Sequence, residues 1–127
     1  MVDMAIPEHV SDTRARERRV SPEADTAVGV KYDKDKTQLD LFPPEALEAI
    51  GQVLTYGANK YAAHNWRKGI DWSRLYGAAL RHLNRWNAGE DIDPESGLPH
   101  LAHAGCCVVF LIASAQSGLG TDDRWRK

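Results

Sequence analysis

The sequence predicts an all-α fold, a helical bundle that associates into an oligomer. Two segments repeat apolar residues at helical spacing, and a third segment is apolar on nearly every face. No segment alternates polar and apolar residues as a half-buried strand does, and no internal repeat is present in the sequence. With 127 residues, of which 43% are apolar and 27% charged, the chain has the size and composition of one globular domain.

Residues 1 to 29 are predicted to form a polar arm that precedes a helical domain of residues 30 to 127. The arm carries two prolines and a charged run from Arg14 to Arg19. This composition is typical of a solvated arm, or of a short helix that packs on a neighbouring subunit. A basic clamp for phosphates is the alternative. The turn-like segment from Lys31 to Lys36 follows, and it holds too many charges for a core strand.

The first predicted helix begins at Pro43-Pro44, because the fixed φ of proline suits a first helical turn. Glu45 and Glu48 complement the dipole at this end of the helix. A loop of residues 62 to 69 follows the helix. The apolar residues that recur at helical spacing, and that we expect to be buried, are Leu47, Ile50, Leu54, Ala58 and Tyr61.

The second predicted helix has Ser73 as its N-cap and ends at Gly89. Its periodicity separates an apolar face from a basic face. The apolar residues expected in the core are Tyr76, Ala79, Leu80 and Leu83. The basic face carries Arg74, Arg81, His82 and Arg85.

The third predicted helix starts at Pro99, runs to Ser117 and stops at Gly118. Because it is apolar all round between its first and last turns, we expect other helices or a second copy of the chain to enclose it, in a homodimer or homotetramer. Its adjacent residues Cys106 and Cys107 are expected to act as small hydrophobic side chains.

Charge and hydropathy exclude several classes of partner. The net charge of −2 provides no basic field for a nucleic acid polymer. The apolar runs are expected to be too short to span a membrane, and the N-terminus lacks the features of a signal peptide. The sequence therefore predicts a cytoplasmic protein.

An acidic loop that leads into two histidines is the strongest candidate site. His100 and His103 lie three residues apart, so they project from one face of the third helix, and His82 belongs to the preceding helix. Oxygen and nitrogen ligands near one point suit a divalent metal or a phosphate. Neutral imidazoles fit a helix N-terminus better than charged ones. A local hydrogen-bonding or capping role is the alternative.

Two pairs of acids could supply metal ligands. Glu45 and Glu48 form an E-x-x-E pair, and Glu90 and Asp93 form an E-x-x-D pair followed by Glu95. Carboxylates three residues apart on a helix can hold a hard cation between them. A solvated helix face and a solvated loop are the corresponding alternatives.

Basic and aromatic residues suggest a nucleotide. Arg81 and Arg85 share one side of the second helix with Arg74, and such a row matches the oxygens of a polyphosphate. A charged surface, or salt bridges to the acidic loop, would explain the row equally well. Asn65 and Trp66, with two nearby tyrosines, could hydrogen-bond and stack on a base. Alternatively, Trp66 closes the end of the bundle.

Several motifs in order resemble the phage-type dATP/dGTP diphosphohydrolases, a family similar to the MazG-like all-α nucleoside triphosphate pyrophosphohydrolases. The resemblance covers roughly residues 30 to 124. The chain differs from the family pattern at Asp35-Lys36, and it has His100 and His103 where MazG-like proteins carry acids. The motifs are Lys31-Tyr32-Asp33, residues 41 to 48, residues 54 to 58, Lys60-Tyr61, Asn65-Trp66, Arg81-His82-Leu83 and residues 89 to 103.

The resemblance implies a homo-oligomeric enzyme that uses Mg²⁺ or Mn²⁺ to hydrolyse dGTP, dATP or both to the monophosphate and pyrophosphate. In phages that replace adenine by 2-aminoadenine, such an enzyme supplies dGMP, and it works in the host cytoplasm. A histidine-metal phosphohydrolase that releases whole triphosphate is a rival, but the adjacent His-Asp pair of that class is absent from the sequence. A non-catalytic nucleotide-sensing or protein-binding bundle is the second rival.

In the expected mechanism, acidic ligands hold the metal, which lowers the pKa of a bound water. The predicted ligands are Glu45, Glu48, Glu90 and Asp93. Arg81 and Arg85, with Lys60 or Lys36, would stabilise the departing pyrophosphate. His100 or His103 would orient the water or complete the metal shell.

Overall fold

The computed structural model describes residues 28–126, and the chain divides into two compact units, Met1–Pro44 and Glu45–Lys127. The helices are α1 (Pro44–Lys60), α2 (Trp72–Asn87) and α3 (His100–Ser117), and two short 3-10 segments are Leu39–Leu41 and Asn65–Lys68. Between residues 28 and 126 the only extended pairing is an isolated bridge between Ile92 and Pro99. The all-α prediction is confirmed for these residues.

The first unit is described from residue 28 onward. Its polar segment forms the predicted turn, closed by a hydrogen bond of 3.1 Å from Lys36 N to Asp33 O. Asp35 has a φ of 69° there, a conformation that aspartate tolerates better than most residues. The predicted polar arm, including the run from Arg14 to Arg19, lies outside the described residues except for Val28 and Gly29.

The helix ends follow the predicted stop signals. α2 ends two residues before Gly89, whose φ is 99°, and α3 ends directly before Gly118, whose φ is 67°. Both conformations are ones that glycine adopts without strain. α1 and α3 begin within one residue of the predicted starts at Pro43-Pro44 and Pro99. The hydrophobic and turn signals therefore located three helices correctly.

The predicted N-cap of α2 is wrong. Ser73 is the second residue of this helix, and its backbone N–H donates to Asp123 Oδ1 at 2.8 Å. The C-terminal tail also receives the indole N–H of Trp72, which donates to Leu119 O at 2.9 Å. One free N–H of the first helical turn is thus satisfied by a carboxylate fifty residues away in the sequence.

The core of the second unit lies along α3. Val53 of α1 packs with Ala102 and Cys106 of α3, while Leu75 and Ala79 of α2 are buried. Burial raises the pKa of Cys106 to about 12, so this free cysteine behaves as the expected small hydrophobic residue. Partly buried hydrophobic side chains pack against this cluster, namely Ala49, Ile50, Leu98 and Phe110.

The predicted buried faces are partly wrong within a single chain. Ile50 of α1 packs against the core, but Leu47 on the same stripe is 59% exposed. On α2, Ala79 is buried whereas Tyr76 is 59% exposed. Helical periodicity gives an apolar face, but it does not say whether a helix of the same chain covers that face. The other predicted core residues that remain exposed are Leu54, Tyr61, Leu80 and Leu83.

α3 reaches the length and hydropathy of a membrane-spanning helix, with a mean hydropathy of 1.3 over its 18 residues. The prediction that every apolar run is too short to span a membrane is therefore wrong for α3, as far as its length is concerned. The core helix of a soluble protein meets the same criterion. α3 packs against both other helices, and His100 and Ser114 are buried within it. α3 thus contributes to the core of the second unit, and 33% of it is buried among the described residues.

Candidate functional site

The loop between α2 and α3 folds back on itself and places its acids over the first turn of α3. The backbone N–H of Asp93 donates to Leu98 O at 2.9 Å, and Gly97 N–H donates to Asp93 O at 2.7 Å. At the base of the loop, the backbone N–H of His100 donates to Asp91 O at 2.9 Å. This last bond satisfies one free N–H of the helix terminus. The predicted meeting of the acidic loop with the two histidines is thus present.

His100 is completely buried and hydrogen-bonded at both ring nitrogens. Its Nε2 lies 2.6 Å from Glu90 Oε1, and its Nδ1 lies 2.9 Å from Nδ1 of His82. Glu90 also lies 3.6 Å from Arg85 Nη1. Glu90, His100 and His82 therefore form one continuous chain of hydrogen bonds, which runs from the loop to the adjacent helix.

His103 belongs to a second network, centred on a serine. Ser96 Oγ donates to Asp93 Oδ2 at 3.0 Å and accepts the backbone N–H of Leu98 at 3.2 Å. His103 Nε2 lies 2.6 Å from Ser96 Oγ and 3.5 Å from Asp93 Oδ2. Since the serine hydrogen is directed to the carboxylate, the imidazole N–H donates to the serine oxygen. Ser96 was not predicted as a site residue, because serine is common in turns for purely conformational reasons.

The two networks meet at stacked imidazole rings. The rings of His82 and His103 are nearly parallel, at 8°, with centroids 4.5 Å apart. Burial lowers the pKa of His82, and the positive charges that His103 and His100 would carry lower it further. Burial likewise lowers the pKa of His103, although Asp93 acts in the opposite direction. The neutral form of both rings is therefore favoured, and for His103 this is the form that the sequence predicted to be useful.

The charge of Asp93 is maintained by its hydrogen bonds. Burial acts to raise the pKa of this carboxyl group, but the hydrogen bonds from Ser96 and the backbone of Glu95 outweigh burial and lower it. Asp93 is therefore ionised, and its Oδ2 lies 3.5 Å from His103 Nε2. In this position Asp93 supports His103. Its predicted role as a metal ligand stays a prediction.

A cavity of about 370 Å³ opens beside these networks. Arg81 and Arg85, two members of the predicted row, line it from α2, and phosphate binding by them stays a prediction. Arg74 is not part of its lining. The complete lining is Arg81, His82, Arg85, Asp93, Pro94, Glu95 and His100.

Lys60 is connected to the edge of this cavity. Its Nζ lies 2.9 Å from Glu95 Oε1, and this hydrogen bond, with one from Tyr61, raises the pKa of Lys60. The ammonium group also lies 6.0 Å from the ring centre of Tyr56. Lys60 is exposed and charged. It can contact a ligand at this edge of the cavity if its ion pair with Glu95 breaks, and an exposed ion pair contributes little to stability.

Trp66 packs within the second unit. Its ring stacks on Phe110 of α3 with centroids 5.0 Å apart, and the guanidinium of Arg67 lies 4.7 Å from the centre of the indole. This is the arrangement expected if Trp66 closes the end of the bundle. Base recognition by Asn65 and Trp66 stays a prediction, as does phosphate binding by Lys36, which is an exposed residue of the first unit.

The acids predicted as metal ligands have different surroundings. Glu45 and Glu48 are exposed on α1, while Glu90 and Asp93 are engaged with histidines. Within residues 28–126, no three His, Cys, Asp or Glu side chains are arranged to hold a metal ion. The described donors therefore do not form a complete metal cage, and the assignment of ligands stays a prediction.

The lowered histidine pKa values predict a loss of folding stability in mild acid. The unfolded chain binds protons on His82 and His103 near the ordinary pKa of 6.5, whereas the folded chain binds them at lower pH. Their contribution to stability is therefore complete above pH 6.5 and is lost as the pH falls below it. Urea denaturation between about pH 8 and 5 measures this change. His103→Gln should flatten the profile, and a wild-type stability that increases on acidification would contradict the argument.

Comparison with known proteins places the chain in a family. Residues 26–124 match the model of the family described as dATP/dGTP diphosphohydrolase, N-terminal. The chain belongs to this family. The match includes α1, α2, α3, the acidic loop and the cavity, and it confirms the resemblance seen in the sequence motifs.

A curated relative extends the comparison. The chain is 35% identical over 96 residues to a protein of Salmonella phage PMBT28 named dATP/dGTP diphosphohydrolase. The aligned region is 76% of this chain but 33% of the relative, so the chain spans about a third of the length of the protein it matches. No solved structure matches the chain significantly.

Proposed function

We propose that the protein hydrolyses a purine deoxynucleoside triphosphate, dGTP or dATP, to the monophosphate and pyrophosphate. The observation that carries the proposal is the cavity of about 370 Å³, in which two arginines face the imidazole of His82, whose pKa is lowered by burial, and an ionised aspartate. The family name and the name of the phage relative support the substrate class. A MazG-like reaction, in which water attacks the α-phosphorus, fits a site that binds a polyphosphate.

The arginines are the groups that would bind the phosphates. A guanidinium offers several donors in a planar fork, which suits phosphate oxygens better than a point charge does. Arg85 is 64% exposed in its side chain, so its ion pair with Glu90 can be exchanged for a substrate oxygen at small cost. As charge develops on the departing pyrophosphate, Arg81, Arg85 and Lys60 would stabilise it.

The metal is proposed to enter with the triphosphate. Mg²⁺ in nucleotide enzymes is usually held by one or two carboxylates together with substrate phosphates, not by a cage of protein ligands. Such a site needs no group of three protein donors. The candidate carboxylates are Glu45, Glu48, Glu90 and Asp93. When bound, Mg²⁺ or Mn²⁺ would neutralise phosphate charge and lower the pKa of a coordinated water.

Product analysis tests this proposal. The protein is incubated with each deoxynucleoside triphosphate in the presence of Mg²⁺ or Mn²⁺, and the products are separated by ion-exchange chromatography. We expect monophosphate and pyrophosphate from dGTP, from dATP or from both. Binding without turnover would instead support a nucleotide-sensing bundle, and release of inorganic triphosphate would support the histidine-metal phosphohydrolase class. If the protein is encoded by a phage that uses 2-aminoadenine, the dGMP would supply that pathway in the host cytoplasm.

We further propose that the active form is a homodimer or homotetramer. Large apolar side chains remain exposed on two adjoining helices, among them Tyr76 of α2 and Ile112 of α3. Contiguous exposed apolar surface of this kind is typical of an interface. Sedimentation equilibrium should therefore show self-association at micromolar concentrations. A monomer whose mass is independent of concentration would contradict this expectation.

A further inference from the structure

The cavity beside the histidine networks is polar. Its lining consists of charged side chains, two imidazoles and Pro94, and among the described residues no tyrosine, tryptophan or phenylalanine lines it. Such a surface suits phosphate oxygens, whereas a nucleobase has two flat faces that stack on aromatic rings. A nucleotide whose phosphates occupy the cavity is therefore expected to place its base against an aromatic side chain at the cavity edge.

Two aromatic side chains near this edge are occupied by contacts within the chain. The ring of Trp66 stacks on Phe110 with centroids 5.0 Å apart, and the guanidinium of Arg67 lies 4.7 Å from the centre of the indole. The ring of Tyr56 meets the ring of His103 edge to face, with centroids 6.2 Å apart. Neither Trp66 nor Tyr56 offers a base a free stacking surface in this arrangement.

Tyr61 is the aromatic side chain that remains free at the same edge. It directly follows α1 and is 64% exposed, and within the described part of the chain no other ring packs on it. The Nζ atom of Lys60 lies 5.3 Å from the centre of this ring and donates to Glu95 Oε1 at 2.9 Å. Because Glu95 lines the cavity, Lys60 connects the ring of Tyr61 to the proposed phosphate site.

The backbone directly after Tyr61 is strained. Ala62 and His64 have φ values of 147° and 61°, which are unfavourable for residues that carry a Cβ atom. Strain of this kind persists only where the surrounding structure enforces it, and it is concentrated at functional sites. The turn lies between an exposed tyrosine and the packed ring of Trp66. It therefore separates a ring that is free for a ligand from one that belongs to the bundle.

We propose that the base of the bound nucleotide stacks on the ring of Tyr61. This inference rests on the proposed function. The phosphates occupy the cavity beside Arg81 and Arg85, and Lys60 lies between them and the base. Since every base has a flat π-face, stacking on Tyr61 increases the affinity for a nucleotide and does not by itself distinguish dGTP from dATP.

Two probes separate binding of the base from binding of the phosphates. The analogue α,β-methylene-dGTP carries both parts and resists cleavage between the α- and β-phosphorus, whereas inorganic triphosphate carries the phosphates alone. Both are titrated with Mg²⁺ by isothermal titration calorimetry. In Tyr61→Leu we expect the Kd of the analogue to rise by about 5-fold to 100-fold, the effect of losing one stacking side chain, and the Kd of triphosphate to stay unchanged. Tyr61→Phe keeps the ring and should retain most of the affinity for the analogue.

Two further variants serve as controls. Trp125→Leu also removes an exposed ring, because Trp125 is 84% exposed, but this residue does not line the cavity, so both affinities should stay at the wild-type level. Trp86→Leu tests the competing position, since Trp86 is 43% exposed and directly follows Arg85, which lines the cavity.

The outcomes separate this inference from the proposed function. If Tyr61→Leu binds the analogue as tightly as the wild type does, or weakens both probes equally, the inference is wrong while the proposed function stands. The inference is also wrong if Trp86→Leu alone loses affinity for the analogue and not for triphosphate. If wild-type protein hydrolyses neither dGTP nor dATP, the proposed function fails, and this inference fails with it.

Discussion

The Glu48→Gln variant is expected to lose nearly all turnover while it keeps its fold. Glu48 is exposed on α1, and among residues 28–126 it has no hydrogen bond or ion pair that the substitution would remove. The change in folding free energy should therefore stay within about 0.5 kcal/mol. If Glu48 holds the metal, replacing a carboxylate by an amide should reduce kcat by at least about 10-fold to 100-fold, the loss seen even for outer-shell partners.

Gln52→Ala is a suitable control for this variant. Gln52 lies one helical turn further along α1 and is also exposed, so its removal alters the same surface without removing a charge. Steady-state kinetics with dGTP, together with urea denaturation of both variants, separate an effect on catalysis from an effect on folding. Near-normal kinetics of Glu48→Gln would assign Glu48 to a solvated helix face.

The second large effect is expected at the two histidines of α3. His100→Gln and His103→Gln each preserve some hydrogen bonding but remove an imidazole from its network. We expect at least one of them to reduce kcat by about 10²-fold or more. The accompanying loss of folding free energy should be about 1 to 3 kcal/mol, because buried polar partners are left incompletely paired. Turnover should also fall as the pH drops below 6.5, because His103, whose pKa burial lowers from that ordinary value, then becomes protonated.

Asp91→Asn provides the control for the loop. The side chain of Asp91 is exposed, and it is its backbone oxygen that accepts the N–H of His100. If both histidine variants keep full activity while their thermal stability collapses, the histidines form a structural cap. The chemistry would then depend on the carboxylates at positions 45, 48, 90 and 93.

Sequence patterns predicted where the helices lie in the chain but not how the helices pack. Proline and glycine mark helix ends through local backbone geometry, so α1 and α3 and the end of α2 could be predicted. The burial of Leu47 or Tyr76 depends on which other helix, or which other chain, covers that face, and periodicity does not contain this information. The start of α2 was missed for a similar reason, since its cap is Asp123, far away in the sequence.

For the candidate site, the sequence indicated the correct region and only part of its organisation. Four carboxylates directly before two histidines are close in sequence, so their meeting in space follows from a short loop. The arginines of the cavity follow from helical spacing. The role of Ser96 and the contact between His82 and His100 depend on side-chain geometry between elements, which a single sequence does not reveal.

The most direct test of the central claim is hydrolysis of dGTP in ¹⁸O-labelled water, with the products identified by mass spectrometry. Attack on the α-phosphorus forms the new bond between phosphorus and water oxygen in the nucleotide. We therefore expect one labelled oxygen in the monophosphate and none in the pyrophosphate. Label in the pyrophosphate, or release of inorganic triphosphate, would contradict the account.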